Sequence, residues 1–376
     1  MENVEENKFT LIYTGTSFNL DKLGDEMDNA FKNLYSAMLG NNVLLKNEFI
    51  NASFRFFDKN KNNIRAHNSY FSNFTPLLIY AQVVVKNKMD KQVWSLAQEC
   101  VDFWDKDKDE KDKVHKGTLY YFFSEAYLDE WDLDKCFLLI HNAIDEDIRS
   151  SGILNPMTPA YRFATLTYDE GDRLSNFTNF LIQIVKSYII IFNKTYNKNL
   201  RFENINNLFF NKIILKDIVF LFSYLIARIY NLKVSTKNIK NDLSNLFQIN
   251  LLLSIAVIIE EIFEIIKSHK DISKLEEVFK LCKKCSIIFD KTKDLFDKSF
   301  DKQIDSALKN EFIYEDNKLS QIEKDWLIYK NVRNKVAHNV FTSKVIAEYF
   351  DDILQSMFNV FFWIIENLYL PIEDEL

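Results

Sequence analysis

The chain has 376 residues, 47% of them hydrophobic and 15% aromatic, with a formal net charge of -7. That length and apolar fraction suit a globular chain of two or three domains with well-buried cores. Only 6 Gly and 4 Pro leave few turn and breaker residues, which predicts long helices joined by short polar loops and speaks against an all-β fold. The abundance of Asn, Lys, Ile and Phe reads as a bias of the coding genome.

Net acidity does not advertise a nucleic-acid binder, because phosphate contacts come from clustered Lys and Arg. The distribution is more telling: residues 90–172 hold 9 Lys/Arg against 19 Asp/Glu, whereas residues 180–240 hold 10 Lys/Arg against 2 Asp/Glu. A basic segment therefore lies inside an acidic chain. Four Cys and an opening Met1-Glu2-Asn3-Val4-Glu5-Glu6 without a secretory pattern point to a reducing, cytoplasmic setting with no disulfide framework. The strongest apolar runs, Ile218 to Ala227 and Leu251 to Ile259, are bounded by Lys216, Asp217, Arg228, Glu260 and Glu261. They read as buried core helices too short to span a bilayer, so no membrane partner is expected.

In chain order, Phe9 to Thr16 is the best short-strand segment, without an evident partner, and is taken as an extended arm. Leu23, Met27, Phe31, Leu34, Tyr35 and Met38 follow a helical stripe; Asn41 to Ser72 shows little periodicity and reads as a short helix mixed with loop. Helical hairpins follow: Leu77 to Val85, Val93 to Trp104, and, beyond a charged loop from Asp105 to Lys113 that reads as solvated linker, a pair carrying Tyr120, Tyr127, Cys136, Ile140 and Ala143. That pair, with Glu130-Trp131-Asp132-Leu133 at its turn, resembles one tetratricopeptide-type unit; a generic helical hairpin fits equally well. Pro156, Pro159, Gly152 and Gly171 cluster between Ser150 and Asp172, which places a domain boundary there and gives domains 1–170 and 171–376. The second domain is expected to be an up-and-down bundle, with stripes over Phe177 to Asn193, Leu208 to Asn231, Ile239 to Ser268, Ile272 to Phe296, Leu319 to Ala337 and Val345 to Leu370.

One compact polar constellation interrupts these apolar stripes: Arg333-Asn334-Lys335-Val336-Ala337-His338. Arg keeps its charge at working pH and His exchanges a proton there, a pair suited to chemistry on a phosphodiester. On an ideal helix Asn334 and His338 share a face, with Lys330 a turn earlier, whereas Arg333 and His338 point about 140° apart. One straight helix does not aim both at one phosphate, so either the helix frays near His338 or two copies of the motif meet. An Arg and a His at the end of a helix would also complement its dipole, which is a purely structural reading of the same residues.

The hexapeptide resembles the signature of the HEPN superfamily of helical nucleotide-binding proteins and ribonucleases, an Arg followed by a polar residue and, after a short interval, a His. The likeness covers about residues 208–376 and includes the apolar helix Ile249 to Ile266 with Glu260, Glu261 and Glu264. It implies an all-α fold with a C-terminal HEPN-type bundle and a homodimer with a composite, isologous site. It also implies metal-independent RNA cleavage: His338 as general acid or base, Arg333 stabilising charge on phosphorus, Asn334 orienting one of them. Lys330, Lys335, Lys212 and Lys216 would bind the RNA backbone. No cofactor or metal is implied; RNA is the expected substrate, a regulatory partner protein a further expectation, and a toxin or antiviral-defence effector the expected role. Val340 stands where HEPN toxins paired with nucleotidyltransferase antitoxins carry Tyr, which puts that partnership in doubt. A non-catalytic helical RNA-binding or protein-interaction module is the alternative. Cys282 and Cys285 form a lone Cys-x-x-Cys inside a helical stripe with no second pair and no nearby His, which speaks against zinc or redox work; His67, His115, His141 and His269 are scattered, and His141, inside a predicted helix, reads as structural.

Overall fold

The computed structural model describes residues 8–13, 16–37, 43–76, 90–154, 156–167, 174–210, 216–236, 242–268, 280–281, 283–284, 300–309, 311, 313–314, 317–336 and 343–369. Among these residues the chain is mostly helical, with fourteen α-helices and two short hairpins. It divides into two compact units between Tyr161 and Arg162, inside helix α7 (Pro159–Ala164) and ahead of residue 170.

Unit 1 opens with β1 (Lys8–Tyr13) and β2 (Thr16–Asp21), paired antiparallel with Phe9 opposite Leu20 and Leu11 opposite Phe18. This corrects the expectation of an unpartnered arm. The partner is the very next segment, whose alternation Ser17-Phe18-Asn19-Leu20 is obscured by its polar half. Asn73 anchors the end of β2: its side-chain oxygen accepts from Asp21 N at 2.8 Å and its amide donates to Asp21 O at 2.9 Å. A side-chain amide thereby pairs with both groups of a peptide as another backbone would.

Six helices follow: α1 (Asp25–Ala37), α2 (Val43–Lys59), α3 (Ile64–Ser72), α4 (Asp90–Asp105), α5 (Gly117–Asp129) and α6 (Leu133–Ser151). The expected hairpin helix Leu77 to Val85 lies outside the described residues. Helices α2 and α3 correct the reading of Asn41 to Ser72 as a short helix mixed with loop: two helices cover most of the segment. Phe49, Ala52 and Phe56 recur at three- and four-residue spacings and are buried together with Phe57, while Asn51 and Arg55 between them face solvent. Their rings build an aromatic core: Phe31 meets Phe49 at 5.1 Å and Phe74 at 5.2 Å edge-on, and Phe57 meets Tyr70 at 4.8 Å. The α5–α6 turn is closed by Trp131 in the left-handed region (φ 62°), where Gly is the usual choice, and Asp132 caps α6 by accepting from Lys135 N at 3.2 Å.

The charged loop after Asp105 is not an idle linker. Asp105 accepts from Val114 N at 3.0 Å and from Lys116 Nζ at 2.9 Å, and Arg149 donates to Glu146 at 2.7 Å and to Glu110 O at 2.7 Å. His115 Nε2 lies 3.3 Å from Asp147 Oδ1, and a Cβ on Gly117 would come within 2.5 Å of that same oxygen, so a larger residue there would have to displace this pair. His67, also buried, accepts from His115 N at 3.2 Å through Nδ1, which demands a neutral ring. Burial, against the opposing Asn60 carbonyl, pushes the His67 pKa down to about 4, and His115 and Arg149 push the same way. Between pH 6.5 and about 4 the unfolded chain takes up a proton that folded His67 refuses, so unit 1 should lose up to about 3 kcal/mol as pH falls through that window. Urea midpoints of unit 1 should drop across this range in the wild-type chain and drop less in His67→Gln, whose amide oxygen can still accept from His115; equal slopes would contradict the assignment.

Unit 2 contains α8 (Ser175–Tyr196), α9 (Phe202–Phe210), α10 (Lys216–Thr236), α11 (Asp242–Ser268), α12 (Phe300–Leu308), the hairpin β3 (Ile313–Tyr314) and β4 (Asn317–Lys318), α13 (Gln321–Val336) and α14 (Lys344–Ile364), which ends in a π turn Ile365–Tyr369. The stripe expected from Leu208 to Asn231 falls on the end of α9 and most of α10, with residues 211–215 between them outside the described residues. Most of the expected stripe Ile272 to Phe296 lies outside the described residues. The core joins α8 to α14 through Tyr188 on Phe358 at 4.3 Å and Phe192 on Phe362 at 5.6 Å; Phe222 of α10 meets Phe361 at 5.3 Å.

Helix α11 corrects one further expectation: Ser244–Ile265, with mean hydropathy 1.9, is long and apolar enough by length and composition to cross a membrane. Ser244, Asn245, Gln248 and Asn250 disguise the start of that stretch in the sequence. In the bundle Leu252, Ile255, Ala256, Ile259 and Ile262 are buried, as a central core helix requires.

Candidate functional site

The first four residues of the hexapeptide, Arg333 to Val336, lie on α13, and Ala337 and His338 lie outside the described residues. Ser320 and Glu323 start that helix, Glu323 Oε2 accepting from Ser320 N and Oγ at 2.8 Å each, an arrangement that fixes the first turn. Trp326, Leu327, Ile328 and Val332 bury the inner face. The helix is described as far as Val336, with residues 337–342 outside the described residues, and Arg333 and Asn334 sit on its last described turn.

Arg333 is partly exposed and donates through Nε to Glu260 Oε2 of α11 at 2.6 Å. The Glu260 carboxylate raises the Arg333 pKa further and keeps the guanidinium charged. Asn334 is exposed beside it, and Lys330, one turn earlier, is half-buried with partners of its own. His338 and Lys212 lie outside the described residues, as do the side chains of Lys335 and of Lys216, the residue that opens α10. Of the expected site residues, Arg333, Asn334 and Lys330 are therefore placed together on α13.

A second polar cluster lies deeper in the same helix. Asp325 is 0% exposed and gathers neutral donors: Tyr196 through its hydroxyl, Asn359 Nδ2 at 2.8 Å and Gln321 Nε2 at 3.1 Å, with Ser356 also hydrogen-bonded to it. Burial raises the Asp325 pKa against these donors, and burial with Asp325 itself pushes the Tyr196 phenol far up, so the proton stays on the tyrosine oxygen. No substrate reaches a fully buried carboxylate; the knot fixes the rotation of α13 against α8 and α14. Its sequence signal is faint: one acidic residue inside Asp325-Trp326-Leu327-Ile328-Tyr329, with Gln321 four residues before it.

Comparison of the chain with family models, with characterised proteins and with solved structures finds no match. Fold and site define, among the described residues, a two-unit helical protein whose second unit presents a charged Arg333 with Asn334 beside it on α13, a helix whose inner face is buried.

Proposed function

We propose that this chain is a metal-independent endoribonuclease, with its N-terminal unit in a sensing or restraining role and its C-terminal bundle of HEPN type carrying the chemistry. The observation that carries the reading is Arg333: a permanently charged guanidinium on α13, partly exposed and paired with Glu260, with Asn334 next to it and His338 following in the sequence. In the reaction a ribose 2′-hydroxyl attacks the adjacent phosphorus, forming the P–O2′ bond and breaking P–O5′. His338 takes the 2′ proton or returns one to the departing 5′ oxygen, and Arg333 holds the charge that gathers on the phosphoryl oxygens. Two copies of the chain would complete the site across a twofold axis, and Lys330, Lys335, Lys212 and Lys216 would bind the strand. The resemblance supports a toxin or antiviral-defence effector acting in the cytoplasm. Purified protein incubated with total RNA in EDTA should cleave it, while His338→Ala and Arg333→Ala should not; equal products from all three would sink the reading.

Glu260 gives the alternative, a non-catalytic RNA-binding or interaction module, its one specific support, because it already neutralises Arg333. Under the nuclease reading this pair is a restraint that an incoming phosphate displaces. A half-exposed ion pair is worth about 1 kcal/mol or less, so Glu260→Gln should tighten RNA binding by up to about fivefold with little loss of stability. Weaker RNA binding by this variant, measured by anisotropy of a labelled oligonucleotide, would instead assign Glu260 a purely structural part.

A further inference from the structure

Helix α8 and the turn into α9 carry a charged surface that the residues around Arg333 do not use. The 22 residues of α8 include no Asp or Glu. Its solvent-facing side runs through Gln183, Ser187, Ile190, Ile191 and Lys194, and the turn adds Lys198 and Arg201, all exposed. Lys186, partly buried, holds its ammonium 5.7 Å from the centre of the Phe202 ring, so a fourth cation links α8 to the start of α9. Little offsets these charges. Lys198 has Glu366 at 3.9 Å, and among the described residues neither the Lys194 ammonium nor the Arg201 guanidinium has a carboxylate partner. Glu203 is the one acid of α9. Cations gathered in this way repel one another, so the fold alone gains nothing from the grouping.

The turn that bears them is fixed. Asn193 Nδ2 donates to Leu200 O at 2.9 Å, and Leu200 N donates to Asn193 Oδ1 at 2.9 Å. Asn197 closes α8 in the left-handed region at φ 51°, and Arg201 N donates to Asn204 Oδ1 at 2.9 Å. The backbone under Lys198 and Arg201 therefore needs no ordering when a ligand arrives, which lowers the entropy cost of binding. Lys186 and Lys194, eight residues apart, are separated by about 12 Å along the helix axis. At about 3.4 Å per stacked nucleotide that row matches about three phosphates of one strand.

We propose that this surface docks RNA through its phosphate backbone. The inference rests on RNA as the partner and not on cleavage, so it serves the nuclease and the non-catalytic RNA-binding module alike. Charge complementarity selects a polyanion, and the character of the face selects RNA over an anionic membrane. A helix that lies on a bilayer presents a broad apolar face. On α8 the apolar side chains Leu181, Val185, Tyr188 and Phe192 are buried, and the outer face sets Ile190 and Ile191 among an amide, a hydroxyl and cations.

The test follows binding of the full chain to a labelled 2′-O-methyl RNA oligonucleotide by anisotropy at several salt concentrations. This strand lacks the attacking hydroxyl, so it survives whether or not the chain is a nuclease. Lys194→Gln, Lys198→Gln and Arg201→Gln combined should weaken binding by about tenfold or more near about 0.1 M salt. The slope of log affinity against log salt should flatten by about 2, at about 0.7 for each lost phosphate contact. The urea midpoint of this variant should equal or exceed that of wild type, because repulsion is removed. Lys59→Gln, Lys106→Gln and Lys111→Gln combined remove as much charge from exposed positions of unit 1 and should leave affinity within about threefold. An equal loss in this control would reduce the effect to net charge and overturn the docking surface, as would an unchanged salt slope in the α8 variant. If the triple variant does not fold, Lys194→Gln and Arg201→Gln singly should each flatten the slope by about 0.7, and no change in either would overturn the surface. Wild-type binding to phosphatidylserine vesicles that is lost in Ile190→Ser with Ile191→Ser, beside RNA binding unmoved by the charge changes, would assign the face to a membrane instead. A wild-type chain that binds the modified strand but leaves ordinary RNA intact would overturn the nuclease reading alone; one that does not bind it would overturn the docking surface.

Discussion

Replacing Arg333 by alanine is expected to lower RNA cleavage by about a hundred- to a thousandfold while leaving the fold intact. The two halves of this expectation have separate origins. The rate loss follows from removing the fixed positive charge nearest the phosphoryl oxygens, where charge develops as phosphorus becomes five-coordinate. The intact fold follows from the exposure of the pair: Arg333 and Glu260 are 31% and 43% exposed, and an ion pair so solvated contributes about 1 kcal/mol or less. Arg333→Lys should recover only part of the rate, because an ammonium cannot make two parallel bonds to phosphate. Single-turnover cleavage with urea unfolding of the same samples checks both halves. A large loss of stability with unchanged cleavage of the folded fraction would make Arg333 a structural residue.

The largest stability effect is expected at Asp325. Asp325→Ala removes the acceptor shared by Tyr196, Asn359, Gln321 and Ser356 and takes it from the buried Asn359 and Ser356 in particular. Orphaning these groups should destabilise unit 2 by about 3 kcal/mol. Asp325→Asn keeps the shape and one acceptor oxygen and should lose less. The pH dependence has the opposite sign to that of His67. Because burial raises the folded pKa of Asp325, its contribution is full below the ordinary carboxylate range and is lost as pH rises through that raised value. Hydrogen exchange of α13 and α14 amides reads the effect within unit 2; protection in Asp325→Ala equal to that of wild type would contradict the knot.

Much of the helical framework is legible in the sequence because its periodicity is strong. Leu23 to Phe31, Val93 to Trp104 and the stripe ending at Val336 each keep apolar residues on one face, and the few Gly and Pro leave little else to build. The readings that needed revision share a physical cause, polar residues doing structural work. Asn and Lys hide α2 and α3, whose buried Phe49, Phe56 and Phe57 are visible only once the polar positions are recognised as the outer face. The abundance of Asn, taken as compositional bias, includes Asn73, Asn193 and Asn245, each pairing with a backbone peptide that is remote in sequence or across a turn. Spacing along one strand of sequence cannot reveal such pairings, because the partner is chosen by the tertiary fold.

At the site, Arg333 and Asn334 stand out in sequence as a polar break in an apolar helix. The acidic cluster that includes Glu260 is equally visible, but its pairing with Arg333 depends on α11 and α13 lying side by side. Asp325 and Asp301 carry no motif at all. Their roles come from what the bundle places around them: neutral donors for Asp325, and the start of α14 for Asp301.

The proposal turns most directly on the 2′-hydroxyl as attacking group. An oligonucleotide of RNA incubated with the wild-type chain in EDTA should yield fragments ending in a cyclic phosphate and beginning with a free 5′-hydroxyl. The same oligonucleotide with one 2′-deoxy residue at the cut position should stay intact there. Cleavage at the deoxy position, or no cleavage of the all-RNA strand, would contradict the account.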